Sequence, residues 1–377
     1  PDYESPVDAN TDNVYEVTVL ASDGYGGSDS QTILITVSPV NEPPTAVDST
    51  VTTAEETAYT FTAADFNFTD GDGDSLASVT ITSLESVGTL QLSGVDVSLN
   101  QVISLADIDA GNLTFTPGLN ASGTGYDSYG YSVNDGTFES TGAYTMTVDV
   151  MPVNDAPTSS DKTVTTSEDV PYVFTAADFN FSDIDGDSLV SVLITALETV
   201  GNFQLSGVNV TLNQVISRAD IDAGNLTFTP VTNASGTGYD SFGFSVGDGA
   251  LYSSPASTMT INVNAVNDAP TAADNTVTTS EDVPYVFTAA DFNFSDIDGD
   301  SLASIRISTL ASLGILQLSG LNVTLNQVIS RADIDAGNLT FVPVPDANGV
   351  GYASFGFVVS DGALEASLAG TMTVNVT

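Results

Sequence analysis

The chain has 377 residues, of which 49 are acidic and only four basic, giving a formal net charge of −45. Such a field repels nucleic acid and anionic membranes, so neither is an expected partner and cations are. Cysteine and histidine are both absent, which excludes disulfides, thiol nucleophiles, zinc-type centres and the usual general base.

With Lys162, Arg218, Arg306 and Arg331 as the only basic side chains, the carboxylates have to be solvated, hydrogen-bonded or bound to metal ions. Hydrophobic residues make up 41%, enough for a core, and the supply of Val, Ile, Thr, Phe and Tyr favours strands over helices. No apolar run approaches the length that crosses a bilayer, so no direct membrane insertion is expected of this segment. The first residue is Pro1 and no signal-like start precedes the repeats, so an excerpt from a longer array is expected.

Taken in chain order, residues 1–44 open with Asp2-Tyr3-Glu4, then Asp8-Ala9-Asn10 and Asp12-Asn13, then alternating stretches at 14–23 and 31–37. They are expected to be the C-terminal part of one repeat, completed by upstream residues or by strands from a neighbouring molecule. Asn41-Glu42-Pro43-Pro44 ends this part, the prolines stopping the ladder and stiffening the exit. Three full units follow, 45–157, 158–270 and 271–377, with Asn154-Asp155-Ala156-Pro157 and Asn267-Asp268-Ala269-Pro270 as the later linkers. The period is 113 residues, as Asp65, Asp178 and Asp291 show, and segment 163–189 is identical to 276–302. An array of like domains is therefore expected, and function has to be sought in the repetition.

Within the second unit, alternating or β-branched stretches fall at 172–175, 189–196, 202–205, 225–229, 241–246 and 257–263, separated by Gly, Asn and Asp turns. About seven short strands per unit predict an all-β array of Greek-key, immunoglobulin-like β-sandwiches. The stretch 212–222 lacks alternation and is expected to hold one short helical turn. Asp65, Asp178 and Asp291 are expected to bond their own backbone turns. Asp127 and Asp240, replaced by Ala353 in the last unit, are expected to be solvated.

Of the 13 acidic residues in the second unit, nine fall at its edges or linker: Glu168, Asp169, Asp183, Asp185, Asp187, Asp220, Asp222, Asp248 and Asp268. Asp183-Ile184-Asp185-Gly186-Asp187 puts carboxylates at alternate positions of a Gly-containing turn, repeated at Asp70, Asp72, Asp74 and at Asp296, Asp298, Asp300. Read by itself, such a loop is either a solvated turn or the cradle of a hard cation such as calcium, which takes six to eight oxygens.

Together, a Glu near each unit's start, a mid-unit acidic pair, an Asn-Asp-Ala-Pro linker, the Asp-x-Asp loop and a late Asp-Gly resemble the calcium grammar of cadherins. The repeated phrases resemble the cadherin-like tandem domains of large bacterial surface adhesins. Asp2-Tyr3-Glu4 is similar to the cadherin Asp-Arg-Glu element with Tyr in place of Arg, whereas the mid-unit element reads Asp-Ile-Asp. The resemblance covers essentially the whole chain and implies Ca2+ clamped at every linker from both sides. At the first linker it implicates Asp2, Glu4, Asn41, Glu42, Asp70, Asp72, Asp74 and Asp135. At the second it implicates Glu55, Glu56, Asp107, Asp109, Asn154, Asp155, Asp183, Asp185, Asp187 and Asp248. At the third it implicates Glu168, Asp169, Asp220, Asp222, Asn267, Asp268, Asp296, Asp298, Asp300 and Asp361.

Two functions are consistent with this pattern. One is an extender in an extracellular, cell-surface adhesin, whose partners are the neighbouring repeats of the same chain. The other is a subunit of an extracellular filament, sheath or surface layer, whose partners are identical chains joined by strand exchange. A glycosidase built on paired carboxylates is set aside, because catalysis has no need of three copies at domain ends.

Overall fold

The structure, a computed structural model, describes residues 3–8 and 10–377. Two compact units divide the chain: residues 1–155 with 184–186, and residues 156–183 with 187–377. The chain starts as a hairpin, β1 (Val14–Ser22) antiparallel to β2 (Ser28–Thr36). No second sheet covers it among the described residues, and Val17, Leu20, Ile33 and Leu34 remain exposed.

In the first full domain the chain forms β3 (Ser49–Ala54), β4 (Tyr59–Thr60), β5 (Ser78–Ser83), β6 (Thr89–Leu92), β7 (Val95–Asp96) and β8 (Val102–Ser104). The one-turn helix α1 (Leu105–Asp109), β9 (Leu113–Thr116), β10 (Gly123–Asn134) and β11 (Tyr144–Met151) follow. A five-stranded sheet, β3-β11-β10-β5-β8, packs on a four-stranded one, β4-β9-β6-β7. The domain thus has nine strands rather than about seven. In the second domain the strands that the alternating stretches did not include are Lys162–Ser167, Val208–Asn209 and Val215–Ser217, the counterparts of β3, β7 and β8. The second and third domains repeat both sheets, with α2 (Arg218–Asp222) and α3 (Arg331–Asp335) in place of α1. The second of these lies inside the expected helical stretch.

Burial follows the pleat. In β11, Met146, Val148 and Val150 point inward while Thr145, Thr147 and Asp149 do not. Aromatic rings fill the space between the sheets: Phe61 meets Tyr129 edge-on at 5.7 Å and Phe66 meets Tyr131 at 5.2 Å. At the same position as Tyr129, the other domains place Phe242 and Phe355, each 5.5 Å from Phe174 or Phe287. Fully burying each such ring contributes about 2–3 kcal/mol.

Asp65 folds the turn it sits in, as expected. It accepts the Thr62 N–H at 2.7 Å, the Thr62 hydroxyl at 3.0 Å and the Tyr59 hydroxyl at 3.1 Å. Asp178 and Asp291 do the same. Asp127 and Asp240, by contrast, are not solvated: they are only 4% and 5% exposed. Asp127 accepts N–H groups from Val87 and Gly88 at 2.9 and 2.8 Å and from Ser86 at 3.0 Å. Desolvation opposes its charge, yet these N–H donors win and hold its carboxyl below the usual value.

Strand direction decides where the acids gather. Strand β3 runs parallel to β11, so Ala54 ends opposite Met151 and Glu55 follows beside the exit to the second linker. At the other end, β5 starts at Ser78 just after the Asp70–Asp74 loop, and β10 finishes at Asn134, whose partner in register is Ser78. Asp135 is therefore delivered next to that loop.

Candidate metal centres at the linkers

A two-way bridge between Thr45 and Thr69, N–H to carbonyl at 2.8 Å in both directions, lays the first linker along the start of the Asp70 loop. That loop is curled by its own first carboxylate. Asp70 Oδ1 accepts N–H from Asp72 at 2.9 Å and from Asp74 at 3.1 Å, and Gly73 between them takes φ +87°. The curl presents Asp72, whose Oδ2 accepts the Glu42 N–H at 2.7 Å. Asn41 Nδ2 donates to Asp135 Oδ2 at 2.8 Å. Asp135 is kept below the usual carboxylate value, chiefly by the Phe138 N–H and also by Asn41.

The linker is thus tied to two loops of the following domain, through Asp72 and through Asp135. Glu4, Glu42 and Asp72 each turn a carboxylate oxygen into one place, all within 4.8 Å of one another. Asp70 Oδ2 is buried without a hydrogen-bond partner. A converging set of hard oxygens with an orphaned carboxylate oxygen beside it fits a divalent cation of the calcium type. Glu4, Glu42 and Asp72 would hold the ion, and Asp70 would shape the loop from behind. Asp2 lies outside the described residues.

The third linker repeats the hydrogen bonds of the loop and linker. Asp268 N–H donates to Asp298 Oδ2 at 2.7 Å, Asn267 Nδ2 donates to Asp361 Oδ2 at 2.9 Å, and Asp296 Oδ1 accepts from Asp298 and Asp300 at 2.9 and 3.1 Å. Asp296 Oδ2 is buried and unpartnered, like its counterpart Asp70. The preceding domain closes from the other side. Glu168, 4% exposed, accepts the Val266 N–H, and Asn233 donates its N–H to Asp169 at 3.1 Å and its Nδ2 to Asp268 Oδ2 at 2.6 Å. Burial raises the Asp268 carboxyl above its ordinary value, and Asp298, Asp169, Glu168 and Asp296 push it the same way. Repulsion of that kind is what a cation would relieve.

At the second linker, Glu55 accepts the Val153 N–H, Glu56 accepts the Asn120 N–H at 2.7 Å, and Asn120 Nδ2 donates to Asp155 at 2.5 Å. Asp155 N–H donates to Asp185 Oδ2 at 2.7 Å, both residues belonging to the first compact unit. In the other unit Asp183 Oδ1 accepts the Asp187 N–H at 3.1 Å, and Asp248 accepts N–H from Ala250 and Leu251 at 2.6 and 2.8 Å. Asn154 Nδ2 donates to the Asp155 carbonyl at 3.0 Å.

The mid-unit acids stand elsewhere than expected. Asp107 and Asp109 lie on α1, which β8 carries back to the Ser78 end of its sheet, where Leu105 N–H donates to Ala77. This is the end opposite Glu55 and Glu56, so they do not face the second linker. Asp107 instead sits in the first turn of the helix that Ser104 caps; it accepts the Ser104 hydroxyl at 2.6 Å and the Asn112 amide at 3.2 Å, which together lower its pKa. Asp220 likewise pairs with Ser217 at 2.6 Å and Asp222 with Arg218 at 2.8 Å, away from the third linker. Sequence reading also missed Asn120 and Asn233, the amides that tie one acid of each start-of-unit pair to the linker acid. Their recurrence at the repeat spacing was the available signal.

Among the described residues, no helix is long and apolar enough to cross a membrane. No curated protein matches the chain. Several solved structures are similar to it. Drosophila N-cadherin EC1-4 is 15% identical with a TM-score of 0.33, over 100% of this chain and 86% of that one. Protocadherin Gamma B7 extracellular cadherin domains 1-4 are 14% identical with a TM-score of 0.47, over 97% and 84%. An endo-fucoidan hydrolase of glycoside hydrolase family 107 is 17% identical with a TM-score of 0.20, over 90% of this chain and 45% of that one. The family model described as Bacterial Ig domain matches three times, at residues 41–150, 154–264 and 267–377. With those matches covering most of its length, the chain belongs to the bacterial Ig domain family, as three such domains in tandem.

Proposed function

We propose that this segment is a calcium-stiffened extender of an extracellular adhesin, carrying a binding domain away from the cell surface. What supports the reading is the paired geometry at the first and third linkers. Carboxylates from both sides converge at the first linker, an aspartate oxygen is orphaned in the loop at each, and the repulsion around Asp268 calls for a cation at the third. Extracellular sites of this kind bind calcium at roughly 0.1–1 mM. At a hundred times Kd, each adds about 2.7 kcal/mol to the ordered linker. Emptied, the same carboxylates repel and the hinge loosens.

Small-angle X-ray scattering of the full chain in calcium and then in excess chelator tests this. Calcium is expected to narrow the distribution of dimensions and chelation to broaden it; an unchanged profile overturns the proposal. A second reading, a filament subunit joined by strand exchange, rests on the β1–β2 hairpin, whose two open edges and exposed Val17, Leu20, Ile33 and Leu34 offer a place for added strands.

A further inference from the structure

An apolar ridge recurs along one edge of each sandwich. In the second domain, residues 208–215 pass from the four-stranded sheet, at strand Val208–Asn209, to the five-stranded one, at strand Val215–Ser217. The crossing buries Val210 and Ile216 but leaves Val208, Leu212 and Val215 exposed by 71%, 53% and 53%. Leu321, Leu325 and Val328 of the third domain are exposed by 76%, 53% and 58%. Single exposed aliphatic side chains are ordinary. Here the same three positions stay apolar in every domain, including Val95, Leu99 and Val102 of the first, where neighbouring Asn209 and Thr211 have become Asp96 and Ser98.

Charge singles out this edge a second time. In so acidic a chain, residues 199–219 and 301–332 contain no Asp or Glu. Three of the four basic residues adjoin the ridge: Arg218 follows strand Val215–Ser217, Arg331 follows strand Val328–Ser330, and Arg306 is the register partner of Val328. Two of them pair at 2.8 Å with Asp222 and Asp335 of their own helices, at exposed positions.

We propose that this edge of the second and third domains is a docking surface for a second copy of the chain, ridge against ridge, with the Arg218–Asp222 and Arg331–Asp335 pairs at its rim. Two molecules of charge −45 can approach closely only where few carboxylates stand, and the acid-free residues 199–219 and 301–332 supply such a stretch. A stable interface takes roughly 20–30 residues a side, and one domain's ridge presents three exposed aliphatic side chains, so each contact is weak. Repetition along the chain supplies the avidity. The association does not depend on the linker sites and occurs with calcium or with chelator.

Sedimentation equilibrium of the full chain, over a concentration series at about 0.15 M salt where the Debye length is about 8 Å, tests the surface. The apparent mass is expected to rise with concentration toward that of two chains. A variant with Leu212→Glu and Leu325→Glu, both at exposed turn positions, is expected to associate at least tenfold more weakly. A control with Thr163→Glu and Thr276→Glu adds the same charge on exposed residues of the opposite sheet edge and is expected to behave as the parent. Far-ultraviolet circular dichroism melts report that each variant is folded. A parent chain that stays single throughout, a ridge variant that associates like the parent, or a control that weakens as much as the ridge variant overturns the proposal.

Discussion

Replacing Tyr129 by Phe is expected to stabilise the first domain. The Tyr129 side chain is 1% exposed, and its hydroxyl has no hydrogen-bond partner among the described residues. Burial holds its proton on, raising the pKa well above the ordinary tyrosine value, and Tyr131, Asp65 and Glu85 act in the same direction. A buried hydroxyl without a partner costs about 1–3 kcal/mol. The ring itself loses nothing, because Phe242 and Phe355 make the same edge-on contact at 5.5 Å that Tyr129 makes with Phe61 at 5.7 Å. Tyr129→Phe should therefore gain about 1–3 kcal/mol, and Phe242→Tyr should cost the second domain a comparable amount. A three-domain array does not unfold as one two-state system. Native-state hydrogen exchange resolved by peptide, following β10 and its counterpart in the second domain, reads each domain separately. A loss of stability in Tyr129→Phe would refute the reasoning, for it would mean that the hydroxyl is satisfied and contributes to the fold.

Further outcomes are expected at the linkers and loops. Asp298→Asn removes one charge from the set around Asp268 and should weaken calcium binding at the third linker by roughly tenfold or more, measured by isothermal titration calorimetry against the parent. Asp127 and Asp240 have lowered carboxyl pKa values, so their stabilisation is fully present above the unfolded value near 3.8 and is lost as pH falls through the lower folded value. Acidification through that window should thus weaken the first two domains more than the third, which carries Ala353 instead; equal losses by domain-resolved exchange would count against this. Gly201→Ala would place a methyl 2.2 Å from the Phe228 ring and should destabilise the second domain by about 1–3 kcal/mol, seen as a lower local melting midpoint.

The sandwich was readable because a two-residue period of apolar side chains survives in every long strand, as in β11 and its repeats. The counterparts of β3, β7 and β8 in the second domain fell outside the marked stretches, β7 and β8 because two or three residues are too few to alternate. The linker acids were readable because they recur with the linker itself. What linear spacing does not reveal is the end of the domain to which the chain returns, so the helix acids Asp107, Asp109, Asp220 and Asp222, which the resemblance puts at the second and third linkers, stand away from them. Antiparallel pairing of β8 with β5 decides that point, and pairing is a tertiary fact. Asp127 and Asp240 misled differently. Their replacement by Ala353 resembled indifference, whereas each carboxylate closes a loop by collecting its N–H groups.

The parallel pairing of β3 with β11 has a mechanical consequence. These are the strands by which each domain is joined to its neighbours, and they lie side by side over six residue pairs, from Ser49 opposite Met146 to Ala54 opposite Met151. Tension on the chain pulls β3 from its Ser49 end and β11 from its Met151 end, in opposite senses along one shared ladder. The load is a shear that all the rungs bear at once, not a peel that breaks them singly. Forced unfolding is governed by the rate of crossing that barrier rather than by equilibrium stability, so a domain of modest thermodynamic stability can still resist sudden pulling.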